Sequence, residues 1–439
     1  MPKISFKGGV HPKDHKHTTR YLHITNIPAT KEIVLPLSQH IGGRSNPVVK
    51  PGDEVKIGDL IAESAGVVSA NIHASVSGKV IAIEPRLHNS GYNVESVVIE
   101  NDGKYTIGYT KEDNKWSDMS AHDIIERVKR GGIVGMGGAT FPTHVKLAPP
   151  KDKPIDSVIL NGAECEPYIT SDHRLMLEFP EKVVVGLKII MRALNANNGY
   201  IAIEENKRDA IDTIKAYIAP EDNIKVVTCA VKYPQGAEKT LIKAATKRLV
   251  PHGRLPMDVG VCVDNVATAS AIYDIVVNNK PLVDRIVTVA GGAIKTPKNF
   301  CVPFGVPIGY LIEQAGGLNT ADELAANSVI MGGPMMGVAQ FSLDAPITKG
   351  SNALLALTDE EAFKGSETAC LRCGKCIEAC PMNLQPIRLY ESGKLRDVGR
   401  ARDASITDCI ECGACTFVCP AKKHIVQYIR VMKSVLSKN

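Results

Sequence analysis

The sequence predicts a multidomain α/β protein built from a barrel-sandwich β domain, a Rossmann-like α/β domain, a β-grasp domain and a helical domain rich in cysteine. Short strand-like segments between Pro and Gly turns fill residues 31–105, and apolar strands alternate with amphipathic helices over residues 106–280. Eight of the 12 cysteines fall into two tight runs after residue 369. A chain of 439 residues is too long for one hydrophobic core, so several domains are expected.

Composition narrows the class of protein. The net charge of +5, from 52 basic and 47 acidic residues, is too small for a chain of this length to indicate nucleic-acid binding. No apolar run reaches the roughly 18 residues of a spanning helix, so no transmembrane segment is predicted. The first 20 residues lack the apolar core of a secretory signal, and a chain that is not secreted keeps its thiols reduced. The cysteines therefore favour metal over disulfides.

The N-terminal third divides into an arm and a β unit. Residues 1–30 show no periodicity and are interpreted as an extended N-terminal arm. Residues 31–105 contain strand-like segments such as 32–35, 60–63, 78–83 and 96–100, separated by turns such as Pro51-Gly52-Asp53. This pattern resembles the barrel-sandwich domains that carry biotin or lipoate. The carrier lysine of those domains is absent from Ser64–Val68, so we expect the fold without the carrier function.

Residues 106–280 predict a mostly parallel sheet with helices on its faces. Helices are expected at 118–130, with Asp118 or Ser120 as N-cap, and at 181–193 and 207–218. Strands are expected at 155–160, 200–203 and 224–229. Ligands of such folds bind at the carboxyl ends of strands, so the loops after strands are the candidate site.

The remainder predicts two smaller units. Residues 281–345 combine short strands with one helix, at 308–315, and indicate a β-grasp domain. Residues 346–439 become helical around the cysteine runs. The amphipathic segment 421–438 is expected to be a helix that packs on this same unit rather than on a membrane.

Both cysteine runs fit the ferredoxin pattern C-x2-C-x2-C-x3-C-P. The first contains Cys370, Cys373, Cys376 and Cys380, and the second contains Cys409, Cys412, Cys415 and Cys419. In two-cluster proteins the fourth cysteine of each run ligates the other cluster. The spacing therefore predicts one [4Fe–4S] cluster on Cys370, Cys373, Cys376 and Cys419, and a second on Cys409, Cys412, Cys415 and Cys380. Structural zinc is the alternative, but zinc sites usually pair two C-x2-C knuckles.

Two loops indicate a cofactor site. Residues 131–143 hold five glycines within eight residues, which suits a backbone that approaches a phosphate-bearing ligand closely. No Gly-Lys-Ser/Thr follows, so the loop is not a Walker A motif. The predicted strand 155–160 delivers Asn161, Glu164 and Glu166 to one strand end, where an amide and two carboxylates suit ring-edge and ribose contacts. A flexible loop and a solvated turn are the alternatives.

Four segments occur in one order: 131–143, Asn161–Pro167, Tyr233–Thr240 and Val263–Thr268. This order resembles the NADH-binding flavoprotein subunit of respiratory complex I. Phe6–Pro12, the barrel sandwich, the SLBB-like β-grasp unit, the Gly332–Gly337 turn and the two cysteine runs resemble the RnfC family still more closely, over essentially the whole chain. The resemblance implies that Gly135, Gly137, Gly138 and Lys146 line the phosphate and ribityl chain of FMN, that Asn161, Asn265 and Thr268 also contact FMN, and that Phe141, Glu164 and Glu166 meet NADH.

The resemblance also implies an activity. NAD(H) would exchange electrons through FMN with the two clusters, as part of an ion-translocating membrane complex that includes ferredoxin as electron partner. The chain would lie on the cytoplasmic face of the cell membrane, bound to the other Rnf subunits. Hydride exchange with a flavin needs no general base, so no catalytic acid or base is predicted. Met136 and Ala237 stand where the complex I motif has Arg and Glu. The alternatives are a soluble flavin and iron–sulfur cobalamin reductase and a cluster-bearing adaptor without flavin.

Overall fold

The computed structural model describes residues 5–112, 115–319, 328–362 and 365–436. The strands are β1 (Thr25–Asn26), β2 (Glu32–Pro36), β3 (Asn46–Pro47), β4 (Glu54–Val55), β5 (Leu60–Glu63), β6 (Ile72–His73), β7 (Gly78–Leu87), β8 (Asn93–Asn101), β9 (Ser157–Gly162), β10 (Asn198–Glu204), β11 (Ile224–Cys229), β12 (Val261–Asn265), β13 (Asp284–Ala290), β14 (Lys298–Pro303), β15 (Ser328–Met331), β16 (Val338–Gln340) and β17 (Ala353–Leu357). The α-helices are α1 (Ala121–Arg130), α2 (Thr143–Lys146), α3 (Ser171–Glu178), α4 (Pro180–Leu194), α5 (Arg208–Ala216), α6 (Glu238–Thr246), α7 (Val266–Asn278), α8 (Ile308–Gln314), α9 (Lys375–Glu378), α10 (Pro386–Leu395), α11 (Val398–Asp403), α12 (Ala414–Phe417) and α13 (Ile425–Leu436).

The first β unit consists of two sheets, one in the order β2-β8-β7-β4 and one in the order β3-β5-β6. Its paired strands run antiparallel, and fully buried residues such as Ile33, Leu35, Ile61 and Val97 contribute to the core. The tip at residues 64–68 is exposed at Val67 and carries no lysine, as the sequence indicates.

The central sheet has the order β11-β10-β9-β12, and every neighbouring pair runs parallel. Helices α4 and α7 pack against each other and on this sheet through Val184, Leu187 and Ile272. The predicted helix start at Ser120 is confirmed, since its hydroxyl caps α1 in a reciprocal pair with Asp123. The parallel order brings the carboxyl ends of β9 and β12 to one edge of the sheet, and β12 is not among the strands expected from the sequence.

A mixed sheet follows in the order β1-β14-β13-β17-β15-β16. Strand β1 comes from the predicted arm and pairs in parallel with β14. Strand β17, whose five residues Ala353–Leu357 are all buried, pairs with β13 and β15. The sheet therefore extends beyond residue 345, into the range predicted for the helical unit. Burial in the middle of this sheet removes the five apolar residues of β17 from water, which stabilises this position of the strand.

The helical unit has a small core of its own, in which Leu389 and Tyr390 of α10 meet Ile425, Ile429 and Met432 of α13. The predicted packing of the last helix on this unit is confirmed. The helix begins at Ile425 rather than at residue 421, because Lys422 adopts a left-handed conformation with φ of 54°. Residues 437 and 438 of the predicted helix lie outside the described residues. In the described part of the chain no helix combines the length and apolar character that crossing a bilayer requires.

Candidate functional site

The glycine loop, residues 131–143, joins α1 to α2 and folds back on itself. The amide of Gly135 donates to the carbonyl of Phe141 at 2.9 Å, and Val134 bridges Pro142. Gly138 has φ of 129°, and a Cβ there would meet no atom within 4 Å. A Cβ at Gly137 would lie 3.2 Å from Cβ of Asn265. The loop therefore presents bare backbone toward an open space beside Asn265.

The amides at the tip of this loop are free for a ligand. Gly137, Gly138 and Ala139 are exposed, and no described residue accepts a hydrogen bond from their N–H groups. The loop is anchored below the tip, where the amide of Met136 donates to Oγ1 of Thr268 at 2.9 Å. Successive outward N–H groups form an anion-binding concavity, so this tip fits the phosphate of FMN.

Met136 does not point at that concavity. Its side chain is 5% exposed and belongs to the main hydrophobic core. The residue that replaces the Arg of complex I is therefore a packing residue of the loop. Its presence leaves the backbone of Gly137 and Gly138 open.

Asn161 and Asn265 are direct neighbours across β9 and β12, as expected from the parallel order. Nδ2 of Asn161 donates to the carbonyl of Gly236 at 2.9 Å, which ties it to the Tyr233–Thr240 segment. Nδ2 of Asn265 donates to the Asp172 carboxylate at 2.7 Å, and its Oδ1 caps α7 at Ala267. Both predicted amides thus lie at the same sheet edge as the glycine loop.

Lys146 turns toward carboxylates rather than toward the loop tip. Its ammonium donates to the carbonyl of Val263, lies 3.3 Å from Asp264 and lies 3.7 Å from Glu238. Burial alone would lower the pKa of Lys146, but Asp264, Cys262 and Glu238 together outweigh burial, and the net shift is upward. Lys146 is a fully charged group at the end of β12, and Glu238 is its partner from α6.

The Asn161–Pro167 segment is held by a buried cation from the arm. The ammonium of Lys16, which is 2% exposed, donates to the carbonyls of Glu164 at 2.9 Å, Glu166 at 2.8 Å and Ile169. Burial is the main cause of its lowered pKa, which the nearby Glu164 carboxylate opposes. Sequence reasoning missed Lys16, because a lysine within a polar arm looks solvated.

The two predicted carboxylates already have protein partners. Glu164 accepts from the amide of Asp172 at 2.7 Å, while Glu166 accepts from the amides of Met335 and Met336 at 3.1 and 2.9 Å. Burial raises the pKa of Glu164 to about 7 and that of Glu166 to about 7. Glu166 therefore connects the segment to the Gly332–Gly337 turn. Phe141 lies half-buried in the glycine loop.

Tyr233 joins the flavin-type segments to the cysteine unit. Its hydroxyl donates to the carbonyl of Cys412 at 2.7 Å and lies 3.5 Å from Glu166. Val10 of the arm exchanges two backbone hydrogen bonds with Tyr233, at 2.8 and 2.9 Å. The next arm residue, Gly9, donates to the carbonyl of Ala379 at 2.8 Å. The arm thus lies between the two units and binds both through backbone hydrogen bonds.

The cysteines fall into two groups in space. Cys380 lines one cavity together with Cys409, Cys412 and Cys415, although it belongs to the first run. Burial raises the pKa of the Cys376 thiol, and the neighbouring thiols Cys419 and Cys370 raise it further. Four thiols around one cavity fit a cubane cluster. Cys380 thus lies with the second run, and Cys419 lies near Cys376 of the first. The full ligand set of each cluster stays a prediction.

Comparison with known proteins gives four family matches along the chain. They are the RnfC barrel sandwich hybrid domain at residues 4–104, the Nuo51 FMN-binding domain at 128–274, the SLBB domain at 286–339 and the 4Fe-4S dicluster domain at 363–420. A relative in Clostridium ljungdahlii, a subunit of the proton-translocating ferredoxin:NAD(+) oxidoreductase complex, is 48% identical over 98% of this chain and 93% of its own length. The chain belongs to the RnfC family.

Other RnfC-family relatives agree. The corresponding subunit of the Na(+)-translocating ferredoxin:NAD(+) oxidoreductase complex of Acetobacterium woodii is 47% identical, over 98% of this chain and 96% of its own. The corresponding subunit of the ion-translocating oxidoreductase complex of Rhodobacter capsulatus is 40% identical, over 100% of this chain and 84% of its own. The predicted family is therefore confirmed.

A solved structure shows the same fold at low identity. A chain of NAD+-reducing [NiFe]-hydrogenase in the H2-reduced state aligns with a TM-score of 0.51 at 16% identity. The alignment covers 74% of this RnfC chain and 62% of the hydrogenase chain.

The four matched domains confirm the predicted barrel-sandwich, flavin-binding, β-grasp and two-cluster units. This RnfC protein therefore binds FMN and [4Fe–4S] clusters. The free amides of the glycine loop fit the first cofactor, and the cavity shared by Cys380 and the second run fits the second.

Proposed function

We propose that this protein is the peripheral, NAD(H)-reactive subunit of a membrane ion-translocating complex. It exchanges electrons between NAD(H), through FMN, and two [4Fe–4S] clusters that connect to ferredoxin through a partner subunit. Relatives named as subunits of proton-, Na+- and ion-translocating oxidoreductase complexes support this role. The chain binds the other subunits at the cytoplasmic face of the cell membrane, and those subunits cross the bilayer.

The chain positions its cofactors with the residues that the sequence predicts. FMN exchanges a hydride with NAD(H) and exchanges single electrons with iron–sulfur clusters. We assign Gly135, Gly137 and Gly138 to the phosphate side, Asn161, Asn265 and Thr268 to the remainder of FMN, and Phe141, Glu164 and Glu166 to the NADH side. Lys146 supports the phosphate side through its ion pair with Asp264, next to Asn265, rather than by facing the loop tip. Glu164 and Glu166 act on the NADH side while their carboxylates accept backbone amides. The convergence of the loop tip, Asn161 and Asn265 at one sheet edge supports this assignment.

The hydrogen bond from Tyr233 to Cys412 is the observation on which the electron path rests. The cluster of Cys380, Cys409, Cys412 and Cys415 lies directly behind the segment that Asn161 touches through Gly236, so it is the cluster nearer to FMN. Cys370 and Cys373 are exposed, which suits the cluster of Cys370, Cys373, Cys376 and Cys419 for contact with the partner subunit. The electron path therefore runs from FMN through the more buried cluster to the more exposed cluster at the protein surface.

The same features weigh against the alternatives. A cluster adaptor without flavin has no use for the three free amides at the glycine loop, and the matched FMN-binding domain spans residues 128–274. A soluble cobalamin reductase would not explain why relatives 40–48% identical are subunits of ion-translocating complexes. Membership of such a complex is therefore the function that the chain supports best.

The decisive experiment uses the intact chain, purified without oxygen. We expect a flavin absorbance that NADH bleaches, followed by loss of the broad absorbance of the oxidised clusters. The protein should also recover other members of the complex from detergent-solubilised membranes of its source. A colourless supernatant after acid precipitation would refute the flavin-dependent function, and a flavoprotein that recovers no membrane subunit would point to the soluble reductase.

A further inference from the structure

A buried arginine of the β-grasp sheet lies behind the glycine loop. Arg285, on β13, is 4% exposed. Its Nη2 donates to the carbonyl of Met136 at 3.2 Å, and its Nη1 donates to the carbonyl of Lys349. One guanidinium thus connects the flavin-binding loop to two segments of a different unit.

This contact sets the direction of the next amide. The peptide between Met136 and Gly137 is trans, so its C=O and N–H point to opposite sides. Arg285 binds the Met136 carbonyl on the side of the loop that faces the β-grasp sheet. The N–H of Gly137 therefore points to the opposite side, where the loop tip is exposed. The preceding peptide is fixed from another element, since the amide of Met136 donates to Thr268 on α7.

The charge of Arg285 is maintained despite burial. Burial lowers the pKa of Arg285 to about 10, and the Asp172 carboxylate opposes that shift, so the group stays protonated near neutral pH. Asp172 also accepts from Asn265, whose Cβ lies 3.2 Å from the position of a Cβ at Gly137. Arg285 therefore holds the loop directly at the Met136 carbonyl, and Asp172 supports it indirectly through Asn265, which packs against Gly137.

We propose that Arg285 is a positioning residue for the phosphate of FMN, because its hold on the Met136 carbonyl aims the Gly137 amide at that phosphate. The inference rests on the proposed function, in which this loop binds FMN. It also explains how the loop can bind phosphate although Met136 replaces the Arg of the complex I motif. Here the guanidinium belongs to Arg285 on β13 and orients the loop backbone. Arg285 contacts the backbone of the loop and the carbonyl of Lys349, and it takes no part in electron exchange.

The test compares FMN with riboflavin, which has the same ring system but no phosphate. We expect Arg285→Met to weaken FMN binding to the cluster-loaded, flavin-depleted protein by about tenfold, the equivalent of about 1.4 kcal/mol. Riboflavin binding should change by less than about twofold, since no phosphate is present for the amide to meet. Flavin fluorescence quenching measures both constants, and Arg285→Lys should show a smaller loss with the same selectivity.

Arg127→Met is the matched control. The Arg127 side chain is also largely buried, and it donates to the backbone carbonyl of Val276, at the far end of α7. It should leave the FMN-to-riboflavin ratio at the wild-type value. Cluster absorbance and the thermal midpoint report whether each variant is folded.

Chemical rescue gives a second, independent measurement. Arg285, Met136 and Asp172 line a cavity of about 300 Å³, which leaves room for a small ion. Millimolar guanidinium should restore FMN affinity to Arg285→Ala, whereas equal sodium chloride should not. Equal losses for FMN and riboflavin, unchanged FMN binding in Arg285→Met, or absence of rescue would overturn the proposal. Failure of the wild-type protein to bind FMN would instead refute the proposed function.

Discussion

The hydroxyl of Tyr233 donates a hydrogen bond to the carbonyl of Cys412 at 2.7 Å, and this bond directly joins the flavin-binding unit to a cysteine of the buried cluster cavity. Tyr233 is 2% exposed and packs with Val10, Ala379 and Ala414. The ring therefore holds the cluster loop in place, while the hydroxyl satisfies a carbonyl that water cannot reach.

Tyr233→Phe should keep the ring packing and remove only this bond. We expect full FMN and iron content, a loss of about 1 kcal/mol of stability because one buried carbonyl loses its partner, and slower cluster reduction after NADH is mixed in. Stopped-flow absorbance separates flavin bleaching from cluster bleaching. Tyr390→Phe, which removes a hydroxyl bond to Glu367 within the helical unit, is the control that should leave both rates unchanged. Equal slowing in both variants would contradict a specific role of Tyr233.

Substitution of the fourth cysteine of each run should show which cluster that cysteine ligates. Cys380→Ser is expected to lose the cluster of the second run, and Cys419→Ser that of the first, with about half of the iron remaining in each. Only Cys419→Ser should keep a cluster that NADH reduces, because that cluster lies nearer to the flavin loops. Iron analysis and electron paramagnetic resonance after NADH addition distinguish the two. The reverse assignment would follow if Cys380→Ser kept the NADH-reducible cluster.

Lys16→Met should destabilise the protein strongly. Three buried carbonyls lose a charged donor and the Glu164 carboxylate loses its cation, so a cost of about 3 kcal/mol is expected. The thermal midpoint should fall, and NADH should bleach the flavin more slowly because the Asn161–Pro167 segment loosens. Lys13→Met, at an exposed position of the same arm, should change neither. An unchanged midpoint in Lys16→Met would show that the arm does not support this segment.

The Glu166 carboxylate predicts a pH dependence. Burial raises its pKa in the folded protein to about 7, so the folded state binds more protons than the unfolded state between about pH 4.5 and 7. Stability from this group is present below pH 4.5 and is lost as pH rises through 7. Glu164, whose pKa is also raised to about 7, adds the same dependence, so Glu166→Gln should reduce the fall in thermal midpoint between pH 5 and 8 without abolishing it.

Glu361 provides the control with the opposite sign. Burial would raise its pKa, but hydrogen bonds from Thr358, Gly292 and Tyr168 together outweigh burial and lower it, so its stabilisation is lost only as pH falls. Glu361→Gln should leave the slope between pH 5 and 8 unchanged. A slope as steep in Glu166→Gln as in the wild-type protein would assign the pH dependence to Glu164 and other groups instead of Glu166.

The sequence predicted the parts of this protein that depend on local pattern. Hydrophobic periodicity and turn residues located most strands and helices, and they correctly placed Asn161 near the carboxyl end of a parallel strand. Strand β12, which carries Asn265, was not predicted, and only the family resemblance assigned Asn265 to the site. The cysteine spacing likewise grouped Cys380 with the second run. These features depend on residues that are close in sequence or on general rules of sheet topology.

Long-range contacts could not be read in the same way. Lys16, Arg285 and Lys349 are buried basic residues that hold the site loops, yet each contacts at least one carbonyl more than 100 residues away in the sequence. Their charge suggests solvent exposure when only the sequence is considered. Strand β17 presents the same difficulty, because its partners in the sheet lie in residues 284–290 and 328–331. The individual FMN and NADH contacts remain predictions.

The arm joins the two redox units through main-chain atoms. Gly9 and Val10 bind Ala379 and Tyr233 by backbone hydrogen bonds, and a Cβ at Gly8 would lie 2.6 Å from the carbonyl oxygen of Cys380. Gly9 has φ of 78°, and a Cβ there would lie 2.5 Å from the carbonyl oxygen of Tyr233, so neither glycine leaves room for a side chain. The spacing between the two redox units is therefore set by two bare backbone positions. Any residue larger than glycine at position 8 or 9 would force the units apart, and an insertion or deletion in this segment would do the same.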